Sequence, residues 1–194
     1  MSKGRLEAFS DGVIAILITI MVLELKVPHG SDWTALQPLV PVFFSYLLSF
    51  VFLGIYWNNH HHMLQVTRRI SGGILWANHH LLFWLSLIPF ATAWMGENHL
   101  APLPTALYGV VLLLAALAYN LLQATIISVD GPASTLAAAV GRDRKGKLSV
   151  AFYAAAIPLA FALHWLSMAL YVAVALMWLV PDRRIEMEAA AAEE

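Results

Sequence analysis

Long apolar stretches separated by short polar breaks set the pattern of this chain. The first, Arg5 to Val27 (RLEAFSDGVIAILITIMVLELKV), has an apolar centre from Gly12 to Leu23, flanked by Asp11 and Glu24. A lipid-facing helix needs about 20 apolar residues, and a run of about 10–14 suits a core or re-entrant helix better. The pattern therefore predicts a helix at membrane depth, walled off from lipid by other helices. Such a helix is a candidate to line whatever passes through.

The remaining stretches are longer. Pro28-His29-Gly30-Ser31-Asp32 reads as a turn. A second span is expected from about Leu39 to Trp57, continuing with more polar character to Met63, with Pro38 and Pro41 near its start. Arg68 and Arg69 mark a loop. A third span, Ile74 to Trp94, is interrupted by Asn78-His79-His80 and Pro89, and a fourth runs from about Leu103 to Val129 until Asp130-Gly131-Pro132 stops it. Ser134 to Ala139 reads as a small interfacial piece before the charged stretch Arg142 to Lys147. Leu148 to Val180 is almost uncharged. As one helix it would extend about 50 Å against a hydrocarbon core of about 30 Å, so it reads as two short helices joined near His164-Trp165. Pro181-Asp182 closes the last. The expectation is one membrane domain, residues 1–185, and an acidic, alanine-rich tail, 186–194, frayed or disordered.

Composition gives these stretches their solvent. Hydrophobic residues make up 60% of the chain and charged residues 12%, and mean hydropathy is +0.72. Soluble domains run at about 45–50% apolar and 25% charged, so lipid is the expected surrounding. Charge then sets orientation. With six spans and both termini cytoplasmic, the inner segments hold Lys3, Arg5, Arg68, Arg69, Arg142, Arg144, Lys145, Lys147, Arg183 and Arg184. Lys26 alone of the 11 basic residues falls outside. Five spans would strand Arg183 and Arg184 on the outer side. The fold class is all-α: a polytopic membrane protein of six helices in the cell membrane. A net charge of −1 provides no basic field for nucleic acid.

Candidate chemistry is sparse. There is no cysteine, no Walker loop, no G-x-S-x-G elbow and no G-x-G-x-x-G, so no catalytic residue and no cofactor is assigned. His60, His61 and His62 are consecutive and point about 100° apart on a helix, so they cannot converge on one ion. His79 and His80 share that limit, and no metal site is expected. On a wheel of 100° per residue, Gly12, Ile16, Thr19 and Leu23 fall within roughly 60° of one another, with Ile20 and Ala15 at the edges. That face fits a packing seam between helices, or a pore wall in which aliphatic rings gate by dewetting and hydroxyl oxygens replace ion hydration. Asp11 and Arg5 are too far apart for an i,i+4 pair. Each needs solvent or a partner on another helix, and the nearest candidates are Trp57-Asn58-Asn59-His60-His61-His62 at the same expected depth.

Arg5-x-x-x-Phe9-Ser10-Asp11 resembles the RxxxFSD signature of the transmembrane protein 175 potassium channels. Tyr56-Trp57-Asn58-Asn59-His60-His61 and Leu87-Ile88-Pro89-Phe90-Ala91-Thr92-Ala93 resemble segments of the same family, in the same order. The resemblance covers the first three spans. It implies a six-span subunit and a homotetramer with the first helices around a fourfold axis. By that resemblance Ile16, Ile20 and Leu23 become the constriction and Thr19 a polar ring beside them. Arg5, Phe9, Ser10 and Asp11 would join Trp57, Asn58, His60 and His61 in an interhelical network. It assigns nothing to His62.

The leading expectation is a potassium-selective channel, with monovalent cations, the bilayer and its own copies as partners. The alternative is a proton-coupled carrier or proton pathway that uses Asp11 and the His60/His61 pair as relays. A third possibility is an assembly protein in which the first helix only packs.

Overall fold

The structure, a computed structural model, describes residues 2–141 and 143–179. Helices α1 to α9 account for its regular structure, with short 3₁₀ segments, and there is no strand among the described residues.

Helix α1 spans Lys3–Ile20 and tightens into a 3₁₀ turn over Met21–Glu24. A short α2, Trp33–Leu36, and a 3₁₀ turn at Gln37–Leu39 lead into α3, Val40–Gln65, with Pro41 in its first turn. Proline is tolerated there because the first N–H groups of a helix lack an intrahelical acceptor anyway. Helix α4, Gly72–Ser86, starts where Ser71 Oγ accepts the Ile74 N–H. It gives way at Leu87 to α5, Ile88–Glu97. The cause is Pro89, which has no N–H to offer the Leu85 carbonyl and so breaks the ladder within the span. Helix α6, Pro102–Asp130, is stopped by Gly131 at φ 97°, a left-handed conformation that favours glycine. Helix α7, Thr135–Val140, is capped by Ser134, and α8, Arg144–Ala162, by Asp143, whose Oδ1 accepts the Gly146 N–H at 3.0 Å. Leu163, extended at φ −144° and ψ 71°, separates α8 from α9, His164–Leu179. The break in the last apolar stretch thus falls one residue before the expected His164-Trp165.

Among the described residues four stretches are long and apolar enough to cross a membrane: Lys3–Glu24, Trp33–Gln65, Gly72–Glu97 and Pro102–Asp130. Helix α9 is apolar but shorter, and α8 opens on Arg144, Lys145 and Lys147. Pro181-Asp182, Arg183, Arg184 and the 186–194 tail lie outside the described residues, as does Arg142.

The bundle is built around α6, which packs on α4, α5 and α8, while α3 packs on α5 and α9. Small residues permit close approach. A Cβ on Gly109 of α6 would stand 2.1 Å from the Tyr171 hydroxyl of α9, and one on Gly96 of α5 would stand 2.8 Å from the Val42 Cα of α3. Several buried polar groups pair across these seams. Ser49 Oγ lies 2.6 Å from Thr92 Oγ1 and 2.9 Å from Tyr108 Oη, and the Tyr171 hydroxyl donates to the Thr105 carbonyl at 3.1 Å.

Ties at the helix ends give the bundle its polarity. The Lys3 ammonium donates to the Gln65 carbonyl, joining the start of α1 to the end of α3. The Arg68 N–H donates to Asp130 Oδ2 at 2.9 Å, joining the α3–α4 turn to the end of α6. Trp178 Nε1 donates to Ser149 Oγ at 2.8 Å, joining the end of α9 to the start of α8. At the opposite end Lys26 pairs with Glu97.

Candidate pore-lining helix and its polar brace

Helix α1 sits at the margin of the bundle, against α3, α4 and α5. Its sequence divides it lengthwise. Leu6, Ser10, Ile14, Leu17 and Met21, spaced three or four apart, form one buried stripe. On the other side Ile16 is 57% exposed, Ile20 43% and Leu23 77%, and Gly12 and Thr19 are exposed with them. The face picked out by the helical wheel is therefore the face that one subunit leaves bare. Thr19 Oγ1 lies 3.0 Å from both the Ala15 and the Ile16 carbonyls, so its proton is held within its own helix and its lone pairs remain outward. No covering element for this face exists within the described residues of the single chain.

The buried side of α1 is held by a directed chain of hydrogen bonds. Asn78 of α4 donates from Nδ2 to Ser10 Oγ at 3.0 Å, and Ser10 donates in turn to the Leu6 carbonyl at 2.9 Å. The other end of the amide, Oδ1, lies 2.7 Å from His60 Nε2 on α3. An amide oxygen only accepts, so this contact requires the proton of His60 on Nε2. His60, Asn78 and Ser10 are all buried. The chain ties α1, α3 and α4 at one point.

Beside it, Trp57 Nε1 donates to Asp11 Oδ1 at 2.9 Å, and the His61 ring stacks on Trp57 at a centroid distance of 6.0 Å. Phe9 stacks on His79 of α4 at 5.4 Å. Asp11 and Trp57 are thus brought together, as are Ser10 and His60 through Asn78, an intermediary that in the sequence reads as a mere interruption of an apolar span. The signal was there, since a carboxamide in an apolar helix needs partners. Arg5 is exposed and meets no hydrogen-bond or ion-pair partner among the described residues. Asn58 lies on the α3 face toward α9, in a hollow it shares with Gly54, Trp178 and Leu179, away from α1. His62 is partly buried, with Nδ1 unpartnered among the described residues, and His80 accepts from Trp84 Nε1 at 2.9 Å.

Comparison with known proteins adds to this geometry. A family model described as "Endosomal/lysosomal potassium channel TMEM175" matches residues 5–89, the segment that holds α1 and its brace. A potassium channel of Chryseobacterium sp. (strain P1-3) is 53% identical over 186 residues, covering 96% of this chain and 97% of the relative. The crystal structure of a lysosomal potassium-selective channel TMEM175 homolog from Chamaesiphon minutus superimposes with a TM-score of 0.79 at 28% identity, covering 93% of this chain and 97% of that one. The endosomal/lysosomal proton channel TMEM175 of Gallus gallus is 41% identical over 81 residues, 35% of this chain and 16% of that protein.

Proposed function

The chain belongs to the TMEM175 family, and on that premise we propose that it is a potassium-selective channel whose pore is lined by α1 of four copies around a fourfold axis. Its relatives are ion channels, so the reading is one of transport and not of catalysis. The observation that carries it is the bare face of α1. A stripe of Ile16, Thr19, Ile20 and Leu23 lies opposite a fully packed stripe on the same helix. Four such faces around an axis would cover one another and enclose an aliphatic channel.

In that arrangement Ile16, Ile20 and Leu23 form the constriction. An ion passing an aliphatic ring sheds hydration water without replacement, at a cost that rises with the tightness of its shell, so potassium is favoured over sodium. The outward lone pairs of Thr19 offset part of that cost. Asp11, Ser10, Phe9, Trp57, His60 and His61 hold α1 against α3 and α4 and so fix the ring's radius, and Arg5 faces the water at the motif's start.

Six crossings with both termini at the cytoplasmic side of a bacterial plasma membrane complete the reading. It is supported by the shared end at which Lys3, Arg68 and the starts of α4 and α8 meet the ends of α3, α6 and α9.

Recording from purified protein in a planar bilayer with unequal potassium and sodium tests it. Discrete steps that reverse near the potassium potential are expected. Slow saturable flux without steps would sink the channel reading.

The proton channels among the relatives favour a second reading, a proton pathway through Asp11 and His60/His61. Against it stands Asn78, an amide with no titratable proton, placed between His60 and Ser10. A reversal potential that follows an imposed pH gradient in place of the potassium gradient would decide for protons.

A further inference from the structure

We propose that a cavity enclosed by α3, α6, α7, α8 and α9 binds a primary ammonium, the head of a small amine or of an aminophospholipid. The proposal stands apart from the pore reading, because no residue of α1 lines this space among the described residues.

The cavity measures about 70 Å³ and lies toward the end where α8 starts and α9 stops. One water needs roughly 10–15 Å³ on the same measure, so there is room for several. Tyr56 of α3 lines it, as do Asn120 and Gln123 of α6, all three set in apolar helices. None of them makes a hydrogen bond among the described residues. Tyr153 of α8 completes the group from a more buried position, at 2% exposure. Its hydroxyl also has no hydrogen-bond partner there, yet water can reach it. Tyr56 belongs to the same segment of α3 as the brace on α1. Its neighbour Trp57 turns to Asp11 and His60 turns to Asn78, while Tyr56 turns the other way.

Two hydroxyls and two carboxamides left uncommitted in one place are a cost to folding unless water or a ligand meets them. The rest of the wall selects the occupant. Tyr56 meets Tyr119 edge-on at 6.2 Å between ring centres, and Tyr153 meets Phe52 in the same way at 6.2 Å. Trp178 lines the α9 end, and its ring already carries one cation, the Lys145 ammonium at 5.7 Å. Among the described residues Asp143 is the only charged side chain on the wall. Its Oδ1 accepts the Gly146 N–H, and its charge acts on the Tyr119 hydroxyl. An anion would therefore meet a carboxylate and no base. A primary ammonium brings three donors and no acceptor, which suits hydroxyl, amide and carboxylate oxygens. Its charge is drawn to aromatic faces as well. Ile55, Ala116 and Val140 offer its carbon chain an apolar surface.

Thermal melting of the purified full-length protein in phosphatidylcholine nanodiscs provides the test. The probe is n-butylammonium chloride, with n-butanol and potassium chloride at equal concentration as controls for the chain and for the salt. Butylammonium is expected to raise the midpoint by a few degrees, well beyond either control. Tyr153→Phe, Asn120→Leu and Asp143→Asn, each read against the same variant without amine, should each weaken the apparent affinity about tenfold, the worth of one hydrogen bond to a charged group. Ile16→Asn, on the bare face of α1, should keep the shift. Added phosphatidylethanolamine identifies the source. If the lipid raises the wild-type midpoint and abolishes the butylammonium shift, the site holds a lipid headgroup; if the shift is unchanged, it holds a free amine. Equal shifts from butylammonium and either control overturn the proposal, as does a shift that all three cavity variants keep. A shift lost only in Ile16→Asn places the amine in the pore and overturns it too. No response to amine or to lipid leaves water as the occupant and overturns it as well.

Discussion

The indole of Trp57 donates to a carboxylate oxygen of Asp11 at 2.9 Å, and this contact ties the side of α1 nearest its bare face to α3. Trp57→Phe keeps most of the ring and removes the donor. The site is partly open to solvent, so the loss is expected to be about 1–2 kcal/mol, below that of a fully buried charged bond. Asp11→Asn retains an acceptor for the same N–H and should cost less than half as much. Thermal melting in detergent checks the order. Equal losses would mean that the charge of Asp11, and not its hydrogen bond, holds the helix.

Asn78 is the more consequential brace. Asn78→Leu fills a similar volume and leaves His60 Nε2 buried without an acceptor, at a cost of about 1–3 kcal/mol. Ser10→Ala should cost less, because Ser10 passes its own proton to the Leu6 carbonyl of the same helix and its loss orphans only one amide hydrogen. Melting midpoints that fall further for Ser10→Ala than for Asn78→Leu would make Ser10 the principal tie and Asn78 the lesser one.

These two contacts also mark what the sequence discloses. Asp11 and Trp57 could be placed together because alternating crossings put the start of the first span and the end of the second at one depth, and an acid at that depth needs a donor. The uncovered face was legible as a periodicity, since Gly12, Ile16, Thr19 and Leu23 share a side on any ideal helix. Which side packs was not, because both faces of α1 are aliphatic and nothing in Ile14 or Leu17 distinguishes them from Ile16 or Ile20. Asn78 was hidden for another reason: neighbouring His79 and His80 gave a polar cluster with no way to tell which member turns inward. The break at Leu163 has no glycine or proline to announce it, and it was required by the length of the stretch and by the side on which Arg183 and Arg184 would otherwise fall. The four-copy arrangement has no signature within one chain, where it shows as a bare stripe.

Gly109 supplies a test of the bundle away from α1. Because a Cβ there would stand 2.1 Å from the Tyr171 hydroxyl and 2.9 Å from its Cζ, Gly109→Ala must push α9 off α6 or turn the ring. Overpacking of this kind costs about 1–3 kcal/mol. Adding Tyr171→Phe removes the nearer atom but not the ring carbon, so it should recover part of the loss and not all. The double mutant also gives up the bond to the Thr105 carbonyl. A fully additive double mutant would show that the clash is relieved elsewhere.

The last prediction concerns the ring itself. Ile16 is the first large side chain on the bare face beyond the polar brace, 57% exposed in the single subunit. If selectivity arises because an aliphatic ring denies the ion its water, replacing the ring with amides should lower the dehydration barrier for every cation and lower it most for the most tightly hydrated. Ile16→Asn is therefore expected to raise sodium current more than potassium current, reducing the potassium-to-sodium permeability ratio severalfold while total conductance rises. Ile16→Val, which keeps the ring apolar and widens it slightly, should raise conductance with a smaller loss of selectivity. Bi-ionic reversal potentials separate the two. If Ile16→Asn leaves both conductance and ratio unchanged, the constriction lies nearer Leu23, and the same pair of substitutions at Ile20 and Leu23 would then locate it along the helix.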